Sequence, residues 1–160
     1  MSACSTYSIR TEGTTVADWQ WVTRIHRSLY KASNGRIGGN LMGIPMVLMH
    51  TIGAKSGEIR SIPVACYPHP EGLLVLASNN GGPKMPAWYH NMRANPEFEI
   101  QFKREKRRVR AEQISEDERL QYWDAMAEIN PRIVHYWHTA QAEHNREIPV
   151  ILLRTLETLN

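Results

Sequence analysis

A short turn in the first half of the chain carries residues that suit an anion. GAKSG at positions 53–57 places a lysine and a serine between two glycines, and Arg60 follows closely. The glycines let backbone N–H groups approach an anion, while Lys55 adds a point charge, Ser56 a hydroxyl and Arg60 a planar fork. The turn therefore has the donors for a phosphate. An ordinary hairpin turn with a surface lysine is an equally good interpretation of the same residues. It lacks the glycine spacing and the following helix of a Walker loop.

The segment ASNNGGPKMPAWYHNM at 77–92 is the second unusual stretch. Its two prolines stiffen the backbone, and its paired glycines leave space for a flat ligand against the main chain. Trp88 and Tyr89 offer ring faces or edges, and Asn91 offers an amide. Two interpretations remain open: one wall of a site for a planar heteroaromatic ring whose phosphate sits on the 53–57 turn, or an aromatic plug on the end of a barrel.

Other catalytic patterns are weak. His135, His138 and His144 could suggest a metal site, but no carboxylate or cysteine completes a set at an established spacing, so we expect exposed helix histidines and no metal. No GxSxG elbow or Walker loop supports hydrolysis or phosphoryl transfer.

The composition is that of a soluble globular protein with one domain. The 160 residues include 42% hydrophobic and 22% charged residues, and no apolar run approaches the roughly 20 residues that span a bilayer. The polar N-terminus lacks the apolar core of a signal peptide, and Cys4 and Cys66 form no CxxC pair, which favours a reducing cytoplasm. We expect a single domain over 1–160, with residues 1–17 flexible.

The charge balance favours anionic small molecules more than nucleic acid. The net charge of +3 is a mild bias, and six basic residues fall between positions 103 and 110. No aromatic residue interleaves with these charges as in a nucleic-acid platform, so we interpret the stretch as a solvated hairpin and expect no nucleic-acid partner.

Hydrophobic periodicity predicts six strands and several helices. A helix is predicted over Asp18–Lys31, and Ser115 with Glu118 forms a capping box that opens another helix, running to about Ile129. Asn130-Pro131 interrupts it before a second helical piece. The remaining predicted elements are strands Pro45–Ile52, Arg60–Tyr67, Leu73–Ala77, 98–102, 109–113 and 148–153, and a short helix Trp88–Ala94. We therefore expect a mainly β, α+β fold: a small barrel with an N-terminal helix and C-terminal helices.

Three stretches resemble the family of deazaflavin-dependent nitroreductases and quinone reductases, which use coenzyme F420. They are RSLYKASNGRIGGNLMGIPMVLMHTIGAKSGEIRSIPV, ASNNGGPKMPAWYHNMRANPEFEI and REIPVILL. The resemblance runs from about Arg24 to the C-terminus. It implies a split β-barrel similar to the FMN-binding barrels, with the cofactor in a groove on the barrel.

Carried over position by position, the resemblance assigns the site residues. The expected cofactor-binding residues are Ala54, Lys55, Ser56, Arg60, Ser61, Ile62, Pro63, Val64, Ala65, Leu76, Ala77, Ser78, Asn79, Ala87, Trp88, Tyr89, His90, Asn91 and Ile133. Tyr136 and Ser78 are the expected catalytic residues, because each can offer a hydroxyl near the ring.

The implied cofactor is an 8-hydroxy-5-deazaflavin with a phosphate and an oligoglutamate tail. Its negative charge suits Lys55 and Arg60. A deazaflavin transfers hydride and reacts poorly with oxygen, so the protein has to orient the ring and the acceptor and needs no nucleophile. We expect a reductase of quinones or activated alkenes, such as enones and unsaturated lactones, with nitro compounds as a further class. The alternatives are an FMN-dependent oxidoreductase on the same fold and a cofactor-binding protein without turnover.

Departures from the family concern the acceptor end. Ala65, Asn130 and Ile133 stand where the nitroimidazole-activating member carries larger aromatic residues, so we expect a wider pocket that favours quinones or bulky lactones. The first helix is expected to be a lid across the barrel mouth, with contact to a membrane surface as the alternative. The remaining expectations are a cytoplasmic protein, a small-molecule hydride acceptor, and a monomer or weak dimer.

Overall fold

Six antiparallel strands close into a barrel, which confirms the predicted split-barrel fold class. The computed structural model describes residues 40–41 and 43–159. The strands are β1 Asn40–Leu41, β2 Ile44–Ile52, β3 Ile59–His69, β4 Gly72–Leu76, β5 Glu97–Phe102, β6 Glu105–Gln113 and β7 Val150–Leu159. The helices are α1 Ala87–Ala94, α2 Glu116–Ile129 and α3 Arg132–His144, with a short 3₁₀ turn at Asn79–Gly81.

Closure comes from one additional strand pairing. The order β2-β3-β4-β7-β6-β5 returns to β2 because β2 pairs with β5 as well as with β3, and the two-residue β1 pairs with β2 outside this ring. The predicted helix over Asp18–Lys31, segment 1–17 and Cys4 lie outside the described residues.

The alternation of side chains along β4 and β7 produces two separate cores. Leu73 and Val75 point into the barrel, whereas Leu74 and Leu76 point outward and pack under α2 and α3. Both faces of β4 and of Val150–Leu153 in β7 are buried, which explains why these stretches are continuously apolar. The first half of β5 is covered on one face, so it alternates between a buried Phe98 and an outward-facing Glu97 or Glu99.

The paired strands β6 and β7 are both longer than the sequence predicts. Strand β6 begins at Glu105 rather than near Val109, and β7 continues to Leu159 rather than ending at Leu153. The basic stretch enters the sheet because its outward-facing charges are exposed or paired, as for Arg108 with Glu97 at 2.8 Å. The tip of the β5–β6 hairpin is exposed, as expected for a solvated hairpin.

Helix α2 begins where the capping motif predicts. The Ser115 hydroxyl oxygen accepts a hydrogen bond from the backbone N–H of Glu118 at 3.2 Å. The carboxylate of Glu118 does not return to Ser115; it contacts Nε2 of His69 on β3 at 3.3 Å. The cap therefore also connects the helix to the barrel wall.

The 3₁₀ turn packs directly against α3. Gly81 is buried with φ at +77°, and a Cβ placed there would lie 2.9 Å from the backbone oxygen of Tyr136 and 3.1 Å from Cβ of Thr139. Only glycine fits, because any side chain would push the helix away from the turn. The position of α3 and that of the 79–81 turn are therefore coupled.

We predict that Gly81→Ala lowers the free energy of unfolding by about 2–4 kcal/mol, the sum of a left-handed backbone penalty and overpacking. The matched control is Gly43→Ala: its φ is +85° and nothing lies within 4 Å of the new Cβ, so we expect a loss of about 1–2 kcal/mol. Denaturant unfolding of both variants measures the difference. Equal losses would show that α3 does not press on the turn.

Candidate functional site

A groove of about 820 Å³ opens where the 53–57 turn, the start of β3 and the first turns of α1 meet. Its walls combine two distant stretches of the chain. The lining residues are Thr51, Gly53, Ala54, Lys55, Ser56, Arg60, Ser61, Ile62, Pro63, Ala87, Trp88, His90 and Asn91. Eleven of them are among the residues predicted from the sequence, and Thr51 and Gly53 are additional.

The 53–57 turn leaves donors available on its outer side. The N–H of Gly53 donates to the Glu58 carbonyl at 2.8 Å, and that of Gly57 donates to the Gly53 carbonyl at 2.9 Å. By contrast, the backbone N–H groups of Lys55 and Ser56 make no hydrogen bond to another described residue. The Ser56 oxygen already accepts from the N–H of Glu58 at 3.2 Å, so its hydroxyl proton remains free to donate.

Asn91 joins the turn to helix α1. Its side-chain oxygen accepts from the backbone N–H of Ala54 at 3.1 Å, and its amide nitrogen donates to Oγ1 of Thr51 at 3.2 Å. Thr51 is fully buried at the end of β2. The amide therefore fixes the two halves of the groove relative to one another.

The two interpretations of the 77–92 segment apply to different residues. Trp88 is only 4% exposed and packs with the residues inside the barrel, as a plug would. Ala87 and His90 are exposed on the groove, beside Asn91. The short helix therefore closes the barrel end and forms a groove wall at the same time.

The two cations of the turn differ in their partners. Arg60 donates to the carboxylate of Glu58 at 2.6 Å, with both side chains mostly exposed. Exposed pairs of this kind contribute about 0–1 kcal/mol, so a multiply charged ligand can displace Glu58. Lys55 is exposed and has no ion-pair partner among the described residues.

A buried arginine that sequence reasoning missed holds the loop between β4 and α1. Arg146 is 8% exposed, and its guanidinium donates to the carbonyl oxygens of Gly82 at 2.8 Å, of Ala77 at 3.1 Å and of Ser78. Burial lowers the pKa of Arg146 from its usual value. The only signal in the sequence was its place directly before the apolar strand in REIPVILL.

The predicted residues from the end of β4 into this loop do not line the groove volume. Leu76 packs under the helices, and Ala77 is buried inside the barrel. Ser78 is half-buried, and Asn79 is exposed, with its amide donating to the Lys84 carbonyl at 2.9 Å.

Five further predicted residues also lie away from the groove lining. Val64 faces the barrel interior, and Ala65 and Ile133 belong to the outer cluster under α2 and α3. The Tyr89 hydroxyl donates to the Gln113 side chain at 3.2 Å. Tyr136 is half-buried against the outer cluster, and burial raises its pKa above the usual value.

Asn130 and Ile133, at which a wider acceptor pocket is expected, do not line the groove. Ile133 is 2% exposed in the outer cluster, and the Asn130 amide donates to the Tyr67 hydroxyl at 3.0 Å. Both side chains are packed by their neighbours.

Within the described residues, no group of three histidine, cysteine or acidic side chains is placed to hold a metal ion. His135, His138 and His144 are exposed on α3. No helix in the described part of the chain is long and apolar enough to cross a membrane.

Comparison with known proteins identifies the family. Residues 21–155 match the family model described as F420H(2)-dependent quinone reductase. The chain belongs to this family. It is therefore an oxidoreductase whose cofactor is coenzyme F420, as the resemblance of the sequence motifs implied.

Individual relatives agree with the family assignment. An F420H(2)-dependent quinone reductase of Mycobacterium tuberculosis is 34% identical over 134 residues, covering 81% of this chain and 87% of that protein. The solved F420-H2 dependent reductase FDR-A is 33% identical with a TM-score of 0.58, covering 67% of this chain and 91% of that one. A second solved chain, described as a domain-swapped dimer, is 30% identical with a TM-score of 0.60, covering 83% and 96%.

We predict that Glu58→Gln tightens binding of coenzyme F420 by about two- to fivefold at low salt, because it releases Arg60 and removes a negative charge beside the turn. Fluorescence titration measures the dissociation constant. The control is Glu105→Gln, which removes the same charge from a pair with Arg107 on the distant hairpin and should leave the affinity unchanged. If the two substitutions change the dissociation constant equally, Arg60 does not contact the cofactor.

Proposed function

We propose that the chain transfers hydride from reduced coenzyme F420, bound in the groove, to a quinone. The observation that carries this proposal is the composition of the groove. The 53–57 turn, with its free donors, and a largely apolar wall line the same groove of about 820 Å³. A cofactor with a planar ring and a charged tail matches this lining, because the ring suits the apolar wall and the tail suits the donors of the turn.

The anionic part of the cofactor belongs at the turn. Lys55, the free N–H groups of Lys55 and Ser56, and the Ser56 hydroxyl supply donors, and Arg60 adds a charge once Glu58 is displaced. The ring then lies along Ile62 and Pro63. The shared lining of the groove by the turn and by Ile62 and Pro63 supports this arrangement.

The chain itself has two tasks in the reaction. When bound, the reduced deazaflavin supplies one hydride, which reduces the quinone, and the reduced acceptor also takes up a proton to become the quinol. The groove has to hold the two reactants in register, and a residue or water has to provide the proton. Tyr136 and Ser78 remain the proposed donors. Burial raises the pKa of Tyr136, so its hydroxyl is protonated at neutral pH but gives up the proton less readily than that of an exposed tyrosine.

The names of the relatives and the lining of the groove both favour quinones as the acceptor class. The relatives in Mycobacterium tuberculosis and the family model are named as quinone reductases. Ile62, Pro63 and Ala87 give the groove an apolar surface that suits a flat, electron-poor ring. Activated alkenes and nitro compounds share this electron deficiency and serve as comparison substrates.

The test is a steady-state assay with the reduced cofactor. We expect a menadione-like quinone to be reduced with a specific dependence on coenzyme F420, and reduced FMN in its place to give no turnover. An enone and a bicyclic nitroimidazole measured in parallel define the preference. Binding of the cofactor without reduction of any quinone would contradict the proposal.

We predict that Lys55→Ala raises the dissociation constant of coenzyme F420 about tenfold or more, because a charge-assisted contact of about 1.5–3 kcal/mol is lost. The effect should shrink at high salt, where the wild-type contact is screened. Lys106→Ala, which removes an exposed lysine from β6, is the matched control and should bind like wild type. An unchanged dissociation constant for Lys55→Ala would show that the phosphate does not bind at the turn.

A further inference from the structure

A histidine on β2 contacts one residue of the groove wall. Nδ1 of His50 lies 2.8 Å from the hydroxyl oxygen of Ser61, which lines the groove and is only 4% exposed. The two residues lie opposite one another in the antiparallel pairing of β2 with β3, so their side chains leave the sheet on the same face. The motifs that assign Ser61 to the cofactor give no role to His50. The strand register nevertheless connects His50 to the groove through Ser61.

Ser61 lies at the boundary between the two parts of the groove. On β3 it follows Arg60, which belongs with the donors of the 53–57 turn, and it precedes Ile62 and Pro63 of the apolar wall. Each residue of an extended strand advances about 3.3 Å, so these neighbours follow one another along the groove. A ligand with its phosphate at the turn and its ring on the apolar wall has to pass Ser61 with the chain that joins the two.

The Ser61 hydroxyl keeps hydrogen-bonding capacity for such a ligand. The hydroxyl of Thr51, which also lines the groove, donates to the Arg60 carbonyl at 3.3 Å and accepts from the Asn91 amide at 3.2 Å. The Ser61 side chain, by contrast, makes one hydrogen bond within the described part of the chain, the one with His50. Because a hydroxyl has one proton and two lone pairs, a second hydrogen bond can form on the groove side.

The two possible directions of the His50–Ser61 hydrogen bond select the ligand class. When Nδ1 accepts the Ser61 proton, the Ser61 oxygen can accept from a ligand; when Nδ1 carries the proton, the Ser61 hydroxyl can donate to a ligand. Ionised phosphate oxygens only accept, so they suit one direction. A ligand hydroxyl both donates and accepts, so it suits either tautomer of the imidazole.

We propose that His50 orients the Ser61 hydroxyl toward a hydroxyl group of the chain that joins the ring and the phosphate of the cofactor. The hydrogen bonds then run in series from the imidazole to Ser61 and on to the ligand, and each strengthens the next. His50 is a positioning residue, because it acts through Ser61. The inference rests on the proposed function, since it requires the cofactor in the groove.

Two substitutions of His50 separate the hydrogen bond from the bulk of the side chain. His50→Asn keeps polar atoms at the branch point that Nδ1 occupies, whereas His50→Leu has a similar shape without them. We expect the dissociation constant of oxidised coenzyme F420 to stay within about twofold of wild type for asparagine and to rise about five- to tenfold for leucine. Fluorescence titration measures both. The same changes are expected for a truncated ligand, the deazaflavin with its hydroxylated chain but without phosphate and glutamates.

Ser61→Ala is an independent test that leaves His50 in place. It should weaken binding of both ligands as His50→Leu does, and His50→Leu added to it should cause no further rise in either dissociation constant. The matched control is His69→Leu, which removes a ring that contacts Glu118 at 3.3 Å and does not line the groove. This control should leave both dissociation constants unchanged.

Three results would overturn the role of His50: equal dissociation constants for the asparagine and leucine variants, a further rise in the double variant, or a leucine effect confined to the complete cofactor. Lys55→Ala should weaken the complete cofactor and leave the truncated ligand unchanged, which separates the contact at the turn from the contact at Ser61. A wild-type protein that binds neither ligand would overturn the proposed function together with this inference.

Discussion

The contact between the Arg146 guanidinium and the carbonyl oxygens of residues 77, 78 and 82 is the constraint on which the rest of the site depends. It fixes the loop between β4 and α1, and thereby the start of the helix that closes the barrel. Nη1 of the same side chain also donates to the sulfur of Met85 at 3.4 Å. A carboxylate partner would neutralise this cation, whereas carbonyl partners leave its charge available to the surroundings.

The barrel gives this loop and the 53–57 turn a rigid common base. Side-chain alternation on β4 and β7 fills the interior with one cluster and anchors α2 and α3 with another. Helix α3 presses on Gly81, and the Asn91 amide joins α1 to the turn after β2. The donors at the 53–57 turn and the loop at 77–82 are therefore held by different parts of one packed structure. Preorganised donors of this kind need little rearrangement when a ligand binds.

Much of the fold could be predicted from local patterns, and much of the groove from motifs. The capping serine, the interruption at Asn130-Pro131 and the apolar strands depend on short-range chemistry, which the sequence displays directly. The resemblance placed eleven residues on the groove because the motifs carry the turn and α1 together. Arg146 was missed because arginine is usually exposed, and only the folded chain shows carbonyl groups converging on it. The packing of Asn130 against Tyr67 was missed for a similar reason, since a small side chain signals space only when its neighbours do not fill it.

A crystal structure of the complex with coenzyme F420 tests the central claim most directly. The account predicts the phosphate at the N–H groups of Lys55 and Ser56, the ring along Ile62 and Pro63, and the loop at 77–82 still held by Arg146 with its backbone nearly unmoved. A ring bound elsewhere on the barrel, or a loop that releases Arg146 to admit it, would contradict the account.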